Sequence, residues 1–235
     1  MKARVVTIND KMQKNYRYTL TDPAGKNFDP RFKPELTPKQ MLKLGIFGGS
    51  FNPIHNGHLI LAEAARDQLG LDRVLFIPAH LPPHKPSSEL LPALTRLAMV
   101  KLAIRDHGGF ITSDIELHRS GPSYTVDTVR LLRAQAPGAD LFLIVGADML
   151  GVEWKGWAEL KRLCTIVAAK RPGSRVAKPE KSIAWLTMPQ VDIASSDIRS
   201  RVRAGRSIRY LVPGAVERHI RAHHLYRGRR AGGEG

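Results

Sequence analysis

The chain has 235 residues, 43% hydrophobic and 25% charged, the balance of a globular protein with one substantial core. No apolar run reaches the roughly 18 residues that span a bilayer, residues 1–20 lack the apolar stretch of a secretory signal, and the single cysteine, Cys164, excludes an internal disulfide or a cysteine cluster for zinc; a cytoplasmic setting is expected. The formal charge of +16 admits nucleic acid or small anionic substrates, yet much of it is peripheral, with nine Lys/Arg against four Asp/Glu in residues 1–42 and three against one in 227–235; no run interleaves aromatic and basic residues for base stacking, so nucleic acid is not the expected ligand.

Residues 1–42 hold no sustained period and are expected to form a basic extension, flexible or loosely docked. From Leu42 the texture changes. LGIFG (44–48) predicts a buried strand ending in a glycine turn, and HLILAEAARDQLG (58–70) a helix closed by glycine. RVLFIP (73–78) predicts a second strand. A Pro-rich loop (79–92) leads to a helix over 93–104. FITSDIEL (110–117) reads as one strand or two short ones, SYTVDTVRLLRAQ (123–135) as a helix and ADLFLIVG (139–146) as a deeply buried strand. A helix over 157–163, strands in 164–170 and 183–188, and helices over 195–205 and 213–224 complete the chain. Strands alternating with helices predict an α/β fold, a doubly wound parallel sheet covered on both faces. Ligands bind such sheets beyond the carboxyl ends of the strands. One domain is expected over residues 43–226, followed by a flexible tail, 227–235.

Residues 45–58, GIFGGSFNPIHNGH, join the first strand to the first helix. Gly48 and Gly49 let the backbone approach a ligand closely. A helix beginning near Gly57 offers N–H groups and its positive end to an anion. His55 and His58 stand three apart, so an early helical turn brings them together. Neither GxxxxGK[ST] nor a GxGxxG opening the first helix is present, which excludes a standard P-loop ATPase or dinucleotide-binding dehydrogenase. The segment FNPIHNGH resembles the HxGH signature of the nucleotidylyltransferase superfamily, and the resemblance implies a Rossmann-like fold.

Residues 193–202, IASSDIRSRV, place Ser195 or Ser196 where either can cap a helix, with Arg199 one turn in and suited to phosphate. The segment is similar to the superfamily's second signature, ISSTxIR, with Ala194 and Ser196 where that pattern has Ser and Thr. Three more stretches resemble the nicotinate mononucleotide branch: PPHKP (82–86) with Thr95, Arg96 and Met99 beyond it, GPSYTVDT (121–128) and VGADMLGVEWKGW (145–157). The similarity runs from Leu44 to Tyr226.

What the resemblance implies is adenylyl transfer from ATP to nicotinate mononucleotide, with nicotinamide mononucleotide or another acceptor as the rivals and a non-catalytic nucleic-acid module as a remote one. His55, His58 and Arg199 are then the catalytic residues. Gly48, Gly49, Ser50, Phe51, Gly57, Ser195, Ser196 and Arg199 are expected at ATP. Lys85, Thr95, Tyr124, Thr125, Asp148 and Trp154 are expected at the mononucleotide: Trp154, or alternatively Trp157, as a platform for the pyridine ring, and the backbone N–H groups near Tyr124 and Thr125 as readers of its carboxylate. Lys85 reads equally as a solvated loop charge and Asp148 as a strand-end cap. Mg²⁺ is expected with ATP, held mainly by phosphates and water, and no protein metal ligand is assigned. No oligomeric state is implied.

Overall fold

The computed structural model describes residues 20–21, 27–28, 42–83, 90–169 and 182–227. Lys85, the tail beyond Arg227 and most of residues 1–42 lie outside the described residues. Two short strands, β1 (Leu20–Thr21) and β2 (Asn27–Phe28), pair antiparallel with each other. Six parallel strands follow: β3 (Lys43–Gly49), β4 (Arg73–Pro78), β5 (Phe110–Thr112), β6 (Asp140–Gly146), β7 (Thr165–Ala169) and β8 (Ile183–Leu186). The helices are α1 (Asn56–Leu69), α2 (Ala93–Ile104), α3 (Thr125–Gln135), α4 (Trp157–Leu163), α5 (Ser195–Arg203) and α6 (Gly214–Ala222).

The strands lie in the order β2-β1-β5-β4-β3-β6-β7-β8, and β1 meets β5 antiparallel at Thr21 and Thr112. From β3 the chain runs outward through β4 and β5, then returns to the other side of β3 and continues through β6, β7 and β8. The connection therefore reverses direction between β3 and β6, which pair directly from Lys43↔Asp140 to Ile46↔Leu143. This is the Rossmann-like arrangement, and it opens a crevice at the carboxyl ends of those two strands.

The period of two along each strand decides which layer each side chain enters. Phe47, Val74, Phe76, Ile144 and Val167 pack with Leu61, Ala65, Met99, Ile198, Val216 and Ile220 of α1, α2, α5 and α6. Their neighbours Leu44, Ile46, Leu75, Ile77, Leu143 and Ile166 pack with Val126, Val129, Leu132 and Leu160 of α3 and α4. With both faces covered, the strands read as continuous apolar runs. Helix α1 stops where Gly70 turns left-handed at φ 60°, and the Leu71 N–H closes the end on the Arg66 carbonyl at 2.9 Å.

Two expectations change. The strand expected over 110–117 ends at Thr112: the Ser113 N–H still bonds the Phe76 carbonyl of β4, but the Ser113 hydroxyl then takes the Ile115 N–H at 3.2 Å. That local bond turns the chain out of the sheet. Beyond β6, the sequence pattern did not show the 3₁₀ turn Ala147–Gly151. No helix among the described residues is long and apolar enough to cross a membrane.

Candidate active site

A cleft of about 550 Å³ opens where the sheet reverses, within the size range of small-molecule sites. Its floor is the end of β3 and the loop that follows, with Gly48, Gly49 and Ser50. One wall carries His55, His58, Ser195, Ser196 and Arg199, and the other Tyr124, Thr125, Asp148, Trp154 and Lys155. The two signature segments and the Tyr124–Thr125 stretch thus meet around one space, although they are far apart in sequence.

His55 is the N-cap of α1 and only 2% exposed. Its ring stacks on that of His58 with centroids 3.6 Å apart. The His55 backbone N–H donates to His58 Nδ1 at 3.2 Å, so the neutral His58 ring carries its proton on Nε2 as a donor. Phe51 lies edge-on to His58, with ring centroids 5.1 Å apart.

At Gly57 a Cβ would sit 3.2 Å from His55 Nδ1 and would crowd that ring. At Gly48 a Cβ would meet nothing within 4 Å. Packing within the protein therefore does not demand glycine at Gly48, and the open space above it belongs to the cleft. The amide of Asn56 in the first turn of α1 is already bonded to the Leu211 carbonyl at 2.9 Å, so this helix end offers fewer open N–H groups than its sequence implied.

The second signature docks directly on the first. The Ser195 hydroxyl donates to the Pro53 carbonyl at 2.9 Å and Arg199 Nη1 donates to the Asn52 carbonyl at 3.0 Å. Ala194, not Ser195 or Ser196, is the N-cap of α5, and no side chain caps it. The expected serine cap is corrected accordingly: Ser195 ties two loops together, and the first N–H groups of α5 lack intrahelical partners.

A buried cation holds the floor. Arg96 of α2 is 1% exposed. Its guanidinium donates to the carbonyls of Ser50 and Ala79 at 2.7 Å, Leu91 at 2.9 Å and His80 at 3.3 Å. Burial pushes its pKa down, with the nearby Tyr226 and Glu116 opposing. Thr95, expected at the mononucleotide, does not line the cleft. Phe51 and Gly57 do not line it either; Phe51 is buried in the core under His58, and Gly57 gives the His55 ring its room.

On the far wall, Trp154 Nε1 donates to the Met149 carbonyl at 2.7 Å, which fixes the indole. Trp154 lines the cleft; Trp157, with its ring centroid 5.7 Å away, does not. At the start of α3 the Tyr124 N–H donates to the Pro122 carbonyl at 3.1 Å. That donor is therefore committed, and the N–H groups of Thr125 and Val126 follow it ahead of the first turn bond, from Asp127 to the Tyr124 carbonyl. Asp148 is exposed in the 3₁₀ turn and lines the cleft. Glu116, which belongs to none of the sequence motifs, also lines the cleft; it is 5% exposed and accepts the Thr128 hydroxyl at 2.6 Å, and burial pushes its pKa up, partly offset by the Thr128 and Ser123 hydrogen bonds and by Arg119 and Arg96. Cys164 is buried away from the cleft, and desolvation raises its thiol to about 12, which leaves it uncharged and unreactive.

A family model described as cytidylyltransferase-like matches residues 46–201. A probable nicotinate-nucleotide adenylyltransferase of Thermus thermophilus is 46% identical over 188 residues, covering 79% of this chain and 100% of that protein. One from a Geobacter species is 43% identical over 212 residues, covering 79% of this chain and 98% of that protein. Among solved structures, a Plasmodium falciparum nicotinic acid mononucleotide adenylyltransferase complexed with NaAD superposes with a TM-score of 0.68 at 17% identity, covering 79% of this chain and 97% of that one. That likeness shows the fold.

Proposed function

Since the chain belongs to the nicotinate-nucleotide adenylyltransferase family, we infer that it transfers the adenylyl group of ATP to nicotinate mononucleotide, giving nicotinate adenine dinucleotide and pyrophosphate in NAD biosynthesis. The observation that carries this reading is the docking of Ser195 and Arg199 on the Pro53 and Asn52 carbonyls beside the stacked His55–His58 pair, in a cleft whose opposite wall bears Trp154 and the start of α3.

In this reaction a phosphate oxygen of the mononucleotide attacks the α-phosphorus of ATP, and pyrophosphate leaves from the opposite side. The attacking phosphate is already ionised, so no general base is needed. Catalysis consists of positioning and charge stabilisation. Gly48, Gly49 and Ser50 admit the triphosphate close to the backbone. His55 and His58 donate to its oxygens, with His58 held as the Nε2–H tautomer. Arg199 and the open N–H groups at the start of α5 receive the departing pyrophosphate. Trp154 stacks on the pyridine ring, and the Thr125 N–H donates to its carboxylate. Asp148 faces the ribose hydroxyls.

The imidazoles, guanidinium and hydroxyls of the cleft suit phosphate rather than a metal, and no group of three or more metal-binding side chains gathers among the described residues. Mg²⁺ accompanying ATP would be held by phosphate oxygens and water, neutralising the charge of the leaving group. Pyrophosphate release with ATP or CTP across a panel of phosphate acceptors tests the reading. Release confined to ATP with a pyridine mononucleotide is expected; release only with CTP, or with none of the acceptors, would overturn it.

A further inference from the structure

The acid-reading wall carries a cation. Lys155 lines the cleft next to Trp154, and its Nζ stands 4.1 Å from the centroid of the Tyr124 ring. This placement is set by the backbone. After Lys155, Gly156 turns left-handed at φ 71° to start α4, and a Cβ on it would meet Val126 Cγ2 at 3.1 Å. The 154–156 loop is therefore pressed against the first turn of α3. On its other side the loop is pinned by the Trp154–Met149 hydrogen bond.

The electrostatics of this corner favour an anion. The ammonium shares it with the positive end of α3, and like charges there are unfavourable until an anion joins them. Two carboxylates, those of Asp127 and Glu116, are committed elsewhere. Asp127 is held by Arg119 at 2.9 Å and Arg130 at 2.7 Å, and Glu116 accepts the Thr128 hydroxyl.

We propose that Lys155 is a specificity-determining residue whose ammonium, held on the Tyr124 ring beside the Trp154 platform, selects the carboxylate of nicotinate mononucleotide over the amide of nicotinamide mononucleotide. The proposal rests on the substrate reading above and adds a side-chain charge to the backbone donor at Thr125. A backbone N–H can be satisfied by the carbonyl oxygen of an amide as well as by a carboxylate oxygen. A cation distinguishes the two by their net charge.

The test compares kcat/KM for the two mononucleotides at saturating ATP in the wild type, Lys155→Met and Lys155→Arg, with thermal melts confirming that each variant is folded. Lys155→Met keeps the length and apolar character of the stem without the charge. It should lower the efficiency with the acid about tenfold more than that with the amide, as expected for one charge-assisted contact. Lys155→Arg should retain most of the wild-type ratio. Raising the ionic strength should erode the wild-type ratio and leave that of Lys155→Met flat. A wild-type ratio preserved in Lys155→Met would overturn the proposal. So would a parallel loss for both substrates, which would make Lys155 a support of the Trp154 loop. Failure of the substrate reading itself would show before any variant is made, as a wild type that does not prefer the acid.

Discussion

Replacing Arg96 with Met should unhinge the floor of the cleft while leaving its ligand-facing side chains intact. Arg96 donates to three carbonyls at 2.7–2.9 Å, those of Ser50, Ala79 and Leu91, and more weakly to His80. Met fills similar space but donates nothing. Each buried acceptor left without a donor costs about 1–3 kcal/mol, and removing the cation recovers part of its desolvation cost. The net loss should be roughly 3–5 kcal/mol. At about 2–4 °C per kcal/mol for a domain of this size, the melting temperature should fall by ~6–20 °C. Because Ser50 follows the glycine turn, kcat at a temperature where the variant is still folded should also fall, by about tenfold or more for a small misplacement of the triphosphate. Arg96→Lys, with one compact ammonium for several carbonyls, should lie between the two. The assay is a thermal melt followed by circular dichroism, paired with pyrophosphate release. A melting temperature within about 2 °C of wild type together with unchanged kcat would refute the view that this guanidinium organises the loop.

His58→Ala should lower turnover roughly a hundredfold with the fold retained, as expected for one lost transition-state donor; near-normal turnover would remove His58 from catalysis. Gly48→Ala should leave stability within about 0.5 kcal/mol, since its Cβ meets nothing within 4 Å, and should raise KM for ATP about tenfold by occupying the approach to the backbone; an unchanged KM would place the phosphates elsewhere. Glu116→Gln tests a buried acid whose pKa is raised by desolvation. The stability that Glu116 contributes is fully present below its unfolded value and is lost as pH rises through its folded value. The melting temperature of Glu116→Gln relative to wild type should therefore climb with pH above the unfolded value and then level off; a difference that is flat or falls with pH would contradict the burial argument.

The fold was legible because its signals are local and redundant. RVLFIP and ADLFLIVG each carry one charge at the start, Arg73 and Asp140, and are apolar beyond it, as strands covered on both faces must be, and Gly70 marks the end of α1. The histidine pair was legible because two imidazoles in a glycine- and proline-containing loop have few other uses. What the sequence concealed depends on contacts between distant segments. Ser195 reads as a cap from its own neighbourhood, yet it bonds the Pro53 carbonyl. Phe51 reads as part of a binding loop, yet its ring belongs to the core. The juxtaposition of Lys155 and Tyr124 follows from how α4 packs on α3, which no local pattern encodes. Arg96 did leave a trace: it precedes Met99 and Val100 by three and four positions, so it falls on the apolar stripe of α2, where a charge needs several partners.

The central claim is tested most directly by incubating the protein with ATP, Mg²⁺ and equimolar acid and amide mononucleotides, and identifying the dinucleotides by chromatography and mass spectrometry. The account predicts nicotinate adenine dinucleotide in excess over the amide product by at least roughly tenfold, the discrimination expected from one charge-assisted contact. Equal amounts, a dominant amide product or no dinucleotide at all would contradict it.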